Sequence, residues 1–136
     1  MANALKVRFR IDFGSRCSIG AGKIELLEGI ARSGSLSQAA REMRMSYRRA
    51  WLLLEDMNLS FDEPVARASV GGRGGGGVIL TAFGTRLAAD YRRLESSLQS
   101  LAAECVEDLG RHVKSGGNKR AVKPTSIKRK TPARAR

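Results

Sequence analysis

Aromatic side chains make up only 5% of the 136 residues, and there is a single histidine. So few large rings leave a β-sandwich interior short of bulk, whereas a hydrophobic content of 42% is ample for a compact helical core. The two cysteines, Cys17 and Cys105, are far apart, with no CxxC and no histidine nearby, which excludes a disulfide framework and a zinc site. No apolar run exceeds Ala50-Trp51-Leu52-Leu53-Leu54, far short of the ~18 residues of a spanning helix. The opening Met1-Ala2-Asn3-Ala4-Leu5-Lys6-Val7-Arg8 lacks the apolar core of a secretory signal, so the expected location is the cytoplasm. Catalytic chemistry is poorly served as well. The one histidine, His112, sits at the edge of a basic tail, and neither cysteine has a base within motif distance. Glu25, Glu28, Glu55, Asp56, Asp62 and Glu63 lie near basic residues, as solvated charge ordinarily does. The expectation is a protein that is no enzyme and carries no cofactor or metal.

Acidic residues are absent from 111–136, which hold 10 of the 25 basic residues and none of the 13 acidic ones. Residues 1–110 are close to balanced. The chain therefore divides into a folded part, 1–110, and a tail, 111–136, whose composition cannot offset its chain entropy and predicts disorder. A tail of this kind is either a solubilising terminus or a sequence-independent attraction to phosphates. An acidic membrane surface has the same charge complementarity, but no amphipathic or lipidation signal accompanies it.

Within the folded part, Leu5, Val7, Phe9, Ile11 and Phe13 alternate with polar residues, which predicts a half-buried strand over Leu5–Phe13 and a loop over 14–22. Ile24, Leu27 and Ala31 then recur at helical spacing, with Leu26 and Ile30 widening the face, and Gly34 offers a left-handed stop. Ser35-Leu36-Ser37-Gln38 reads as a capping box opening a short helix with Leu36, Ala39, Ala40 and Met43 on one face. After Arg44 and Met45, Ser46 caps a third helix running toward Asn58, with Ala50, Leu53, Leu54 and Met57 on its apolar face.

So short a link makes the second and third helices cross as a helix-turn-helix, which sets the start of its second helix in the major groove. Here that start is Ser46, Tyr47, Arg48 and Arg49. At 100° per residue Arg48 lies opposite the apolar face, with Tyr47 and Arg49 on the shoulders. An ordinary helical hairpin with two solvated arginines has the same spacing. Next come two strand-like runs, Pro64–Val70 and Val78–Thr81, joined by Gly71-Gly72-Arg73-Gly74-Gly75-Gly76-Gly77. A phosphate-cradling P-loop is the competing idea, but GxxxxGK[ST] is absent and no helix opens directly at the glycines, which disfavours it. The hairpin is either a wing whose Arg73 reaches a phosphate or the minor groove, or a loop with an idle arginine. The last helix starts near Thr81 and carries Leu87, Tyr91, Leu94, Leu98, Leu101 and Cys105, a heptad stripe that suits a homodimer seam better than a purely intrachain contact. Cys105 would then lie near its symmetry mate as a reduced thiol.

Four segments together resemble a known family. Ile24–Ile30, Gly34–Arg41, the block Met45-Ser46-Tyr47-Arg48-Arg49-Ala50-Trp51, and the glycine run followed by Leu80-Thr81-Ala82-Phe83-Gly84 are similar to the N-terminal domain of ModE-type molybdenum-dependent transcriptional regulators, over about residues 5–100. The helix-turn-helix portion alone is shared with LysR-type regulators, whereas the Ser-Tyr-Arg-Arg-Ala-Trp block with the glycine-rich segment is more specific. The resemblance implies a mainly α fold with a small β-hairpin (α+β), a winged helix-turn-helix that dimerises through its last helix, about 82–110. It also implies operator binding, with positions 46–49 in the major groove and Arg73 on the wing. Ser35, Ser37, Gln38 and Arg41 of the preceding helix complete the DNA-contacting set. Members that sense molybdate do so through a separate C-terminal pair of small β-barrel domains, and this sequence has the basic tail where they would begin. No oxyanion site is expected, and any molybdenum response would pass through a separate ligand-sensing partner.

The reading is a dimeric regulator of double-stranded DNA, located at the nucleoid, with no membrane role. The alternative is an architectural DNA-binding protein with little sequence preference, driven by the tail.

Overall fold

The computed structural model describes residues 4–69 and 77–114. It is mainly helical, and its first elements are two short strands, β1 (Arg10–Phe13) and β2 (Cys17–Gly20), paired antiparallel with Ile11 opposite Ile19. Gly14, at φ +65°, makes the turn between them. This corrects the expectation of one strand over Leu5–Phe13 followed by a loop. Among the described residues the segment before Arg10 has no strand beside it, and it finds its partners on the last helix instead. Val7 donates its N–H to Gln99 Oε1 at 2.9 Å, and Gln99 Nε2 donates to the Leu5 carbonyl at 2.6 Å. The Tyr91 hydroxyl donates to the Phe9 carbonyl at 2.9 Å, and the Phe9 ring stacks on Tyr91 with centroids 4.5 Å apart. In β2, Cys17 and Ile19 are buried and alternate with half-buried Ser18 and Gly20, a pattern too short to mark a strand.

Helix α1 (Ala21–Ser33) is the centre of the core. Ile24, Leu26, Leu27 and Ile30 are at most 1% exposed, each worth ~1.5–3 kcal/mol of burial, while Ala31 faces solvent. Gly34 ends the helix at φ +67° and donates to the Ile30 carbonyl at 2.7 Å, the left-handed stop its position predicts. Helix α2 (Leu36–Glu42) packs Leu36, Ala39 and Ala40 inward. Ser35 Oγ accepts from the Gln38 N–H at 3.1 Å, but the reciprocal half of the capping box does not form. Ser33 Oγ already accepts from the Ser35 N–H, and the Gln38 amide reaches Glu42. Helix α3 (Tyr47–Ser60) buries Ala50, Leu54 and Met57.

Strands β3 (Ala66–Ser69) and β4 (Gly77–Leu80) form the second antiparallel hairpin, and α4 (Ala82–Arg111) follows as a helix of 30 residues. Side chains and caps lock the base of this hairpin. Asn58 on α3 accepts from the Val65 N–H at 2.7 Å, Val78 donates to the Gly34 carbonyl at 3.0 Å, and Thr81 Oγ1 donates to the Pro64 carbonyl while accepting from the Gly84 N–H. Phe61 and Phe83, 5.1 Å apart and edge to face, close the same corner.

Across that junction, a Cβ on Gly84 would lie 1.9 Å from the Val65 carbonyl oxygen, a backbone atom that cannot swing away. Gly84→Ala is therefore expected to lower the unfolding free energy by about 2–3 kcal/mol in urea titration. Gly22→Ala, where a Cβ meets nothing within 4 Å, should stabilise by about 0.5–1 kcal/mol. Equal stabilities of the two variants would contradict the close approach of α4 to the hairpin.

Candidate nucleic-acid interface

Helices α2 and α3 are joined by a turn of four residues, Met43 to Ser46. Arg44 takes φ +56° there, a left-handed conformation that costs a non-glycine residue ~1–2 kcal/mol. The turn is closed by the Arg44 N–H on the Arg41 carbonyl and the Met45 N–H on the Ala40 carbonyl, both at 3.0 Å. Ser46 Oγ then accepts from the Arg49 N–H at 3.1 Å, capping α3 where the sequence places its start.

This short, closed turn presents the first residues of α3 outward. Tyr47 is 55% exposed, and Arg48 and Arg49 are exposed beside it. From α2, Ser37 and Arg41 join Tyr47 in lining one shallow groove with Ala40 and Met45. The structure thus brings together Ser37, Arg41, Ser46, Tyr47, Arg48 and Arg49. Ser35 and Gln38 lie at the α2 N-terminus, where the Ser35 hydroxyl is engaged as a cap. Arg73 and its glycine neighbours lie outside the described residues, as does the tail beyond Lys114.

Charge pairing divides the surface. Arg92 binds both carboxylate oxygens of Glu28, at 2.6 and 3.0 Å, and also Glu95, contacts that hold its guanidinium charged well beyond its ordinary range. Lys23 pairs with Asp56, and Glu42 on α2 is turned toward Arg32. Among the described residues, Arg41, Arg44, Arg48 and Arg49 have no carboxylate within ion-pair distance. Their uncompensated charge converges on the α2–α3 turn and ends at Glu55 and Asp56 along α3. Sequence reasoning treats Arg44 only as part of the link; what singles it out is its unpaired position beside Arg41, which depends on the turn geometry.

The residues of the heptad stripe fall into two groups. Leu87 is half-buried against the core and Tyr91 is only 2% exposed, engaged by Phe9 within the same chain. Burial, with the Glu95 charge adding, pushes the Tyr91 hydroxyl above its ordinary pKa and keeps it a donor. Farther along, Leu94 is exposed, Leu98 half-buried, and Leu101 and Cys105 exposed. Both cysteines are free thiols. Among the described residues no cluster of three or more His, Cys, Asp or Glu is placed to hold a metal ion, and no helix is long and apolar enough to cross a membrane.

The cap at Ser46 sets where α3 begins, so Ser46→Ala should cost ~1 kcal/mol of stability in a thermal or urea melt. A variant as stable as the parent would show that the cap is not holding the start of α3.

No family model matches the chain. Curated relatives do match part of it. It is 40% identical over 91 residues to the molybdenum-pterin-binding protein MopB of Rhodobacter capsulatus, which is 67% of this chain and 34% of that protein. With the molybdenum transport protein ModE of Azotobacter vinelandii the identity is 37% over 108 residues, 79% of this chain and 40% of the relative. The DNA-binding transcriptional dual regulator ModE of Escherichia coli K12 is 38% identical over 86 residues, 63% of this chain and 32% of the regulator. The chain spans between about a third and two fifths of these relatives' own lengths. What the comparisons establish is a similarity, across most of this chain, to part of a set of molybdenum-pterin-binding proteins and ModE transcriptional regulators.

Proposed function

We propose that this protein is a DNA-binding transcriptional regulator of the ModE N-terminal type and not an enzyme. In this reading α2 and α3 form a helix-turn-helix, the β3–β4 hairpin is its wing, and α3 enters the major groove. The observation that carries it is the cluster of four arginines, Arg41, Arg44, Arg48 and Arg49, exposed at the capped start of α3 without acidic partners. An unpaired guanidinium offers guanine two parallel donors, whereas one held by a carboxylate is already occupied. The similarity to a regulator whose name includes DNA binding points the same way. Arg48 and Arg49 read base edges, Ser37, Arg41 and Tyr47 contact bases or phosphates around them, and Arg73 adds a wing contact. No molybdate or pterin contact is assigned to these residues.

The 10 basic residues of 111–136, with no acidic ones among them, favour a second reading: an architectural protein that coats DNA by counterion release. Selection of bound sequences from a random duplex pool at physiological salt, with and without residues 111–136, separates the two. A regulator enriches the same inverted repeat in both forms. An architectural protein enriches none and loses most of its affinity with the tail. On the selected duplex, Arg48→Ala and Arg49→Ala should each lose ~1–3 kcal/mol of discrimination while melting like the parent. Unchanged preference in both variants removes these residues from the site.

The inverted repeat follows from a homodimer joined along α4 from Leu94 onward, where Leu94 and Leu101 are exposed and Leu98 is half-buried. Light scattering should give twice the chain mass, and Leu101→Lys should raise the dimer Kd at least about tenfold. A parent protein that stays monomeric at micromolar concentration would overturn the seam.

A further inference from the structure

Helix α3 exposes three large aliphatic or indole side chains: Leu59 near its C-terminus, and Trp51 and Leu52 one turn beyond the arginines at its start. Trp51 is 46% exposed and Leu52 50% exposed, although they lie within the apolar run Ala50–Leu54, whose Ala50 and Leu54 are buried. At 100° per residue, Leu52 falls on the same outward stripe as Arg48, one turn farther along, and Trp51 falls on the Tyr47 shoulder. The apolar pair is therefore bordered by the unpaired arginines at one end and meets Glu55 and Asp56 only at the next turn.

A surface so cationic suits a polyanion, and the occupant of an apolar patch inside it must itself be apolar within an anionic frame. A DNA duplex presents such a group in its major groove, the thymine C5-methyl. We propose that Leu52, flanked by Trp51, reads thymine methyl groups next to the base pair contacted by Arg48. The inference rests on the operator-binding reading above and adds a specificity contact to it. Four residues of helix advance about 6 Å, close to two base-pair steps of about 3.4 Å, so the thymine should lie within about two base pairs of the Arg48-dependent guanine.

The test replaces each thymine of the selected duplex, one at a time, by deoxyuridine, which lacks only that methyl. Affinities of the parent protein, Leu52→Ala and Trp51→Ala are measured at fixed salt on these duplexes and on a scrambled one. Both side chains are exposed, and melting curves verify that the variants fold. At one or two thymines in the stated window, the parent should bind the deoxyuridine duplex about fourfold more weakly, and Leu52→Ala should bind both duplexes alike. Trp51→Ala should show a reduced difference. A parent protein indifferent to the methyl at every position, a Leu52→Ala variant that still discriminates, or an operator with no thymine in the window would each overturn the proposal while leaving the regulator reading intact. Equal affinity of the parent for selected and scrambled duplexes overturns both.

Discussion

The structure depends on the burial of α1. Ile24, Leu26, Leu27 and Ile30 are sealed from solvent because α2, α3, α4, β2 and β4 all lean on this one helix. Truncating any one of those four side chains to alanine removes ~2–5 kcal/mol, a large share of the stability of so small a domain. The approaches are close enough to make small residues necessary. A Cβ on Gly29 would lie 3.0 Å from Ala39 Cβ, and one on Gly77 would lie 2.6 Å from the Gly34 carbonyl oxygen. The carbonyl of the α1 stop also accepts from Val78, so the end of the central helix positions the second hairpin directly. Helix α3 is placed from the same centre, its inner face being buried and its arginines consequently turned out.

Electrostatics follows from that placement. The ion pairs at Arg92, Lys23 and Arg32 join elements that meet around α1, and each is partly exposed and so worth little on its own. Their larger effect is on the distribution of field. Glu28, Glu42 and Asp56 are taken up where helices meet, and the α2–α3 turn keeps its positive charge. Unpaired arginines at a surface cost almost nothing in water, yet such side chains can displace the cations condensed on a phosphate backbone.

Helix α4 has two different environments along one sequence pattern. Its first half is covered by the segment around Phe9 and by the hairpin corner, with Tyr91 stacked and hydrogen-bonded inside the chain. Its second half carries Leu101 and Leu109 at 55% and 65% exposure. The N-terminal segment ends the covered half, since Gln99 is the last α4 side chain to bond it. Exposed apolar residues repeating beyond that point are what a second copy would cover.

Much of this was legible from local chemistry. The Gly34 stop, the Ser35 and Ser46 caps, the β3–β4 hairpin and the long final helix each follow from the chain's own neighbours, because capping, turn formation and helical periodicity act over a few residues. The exposed arginines at the start of α3 were legible for the same reason, being fixed by helix phase. The strand alternation of Leu5–Phe9 misled, because period two records which side is buried and not what supplies the hydrogen bonds; here Gln99 and Tyr91 supply them from about 90 residues away. The heptad of α4 likewise reads the same whether its partner is this chain or another. Only the tertiary structure decided that Tyr91 is covered from within and Leu101 is not, that Glu42 is turned from Arg41 toward Arg32, and that Trp51 and Leu52 face out of an apolar run. Those outcomes depend on which surfaces meet after folding, and residues distant in sequence carry that information jointly rather than in any one segment.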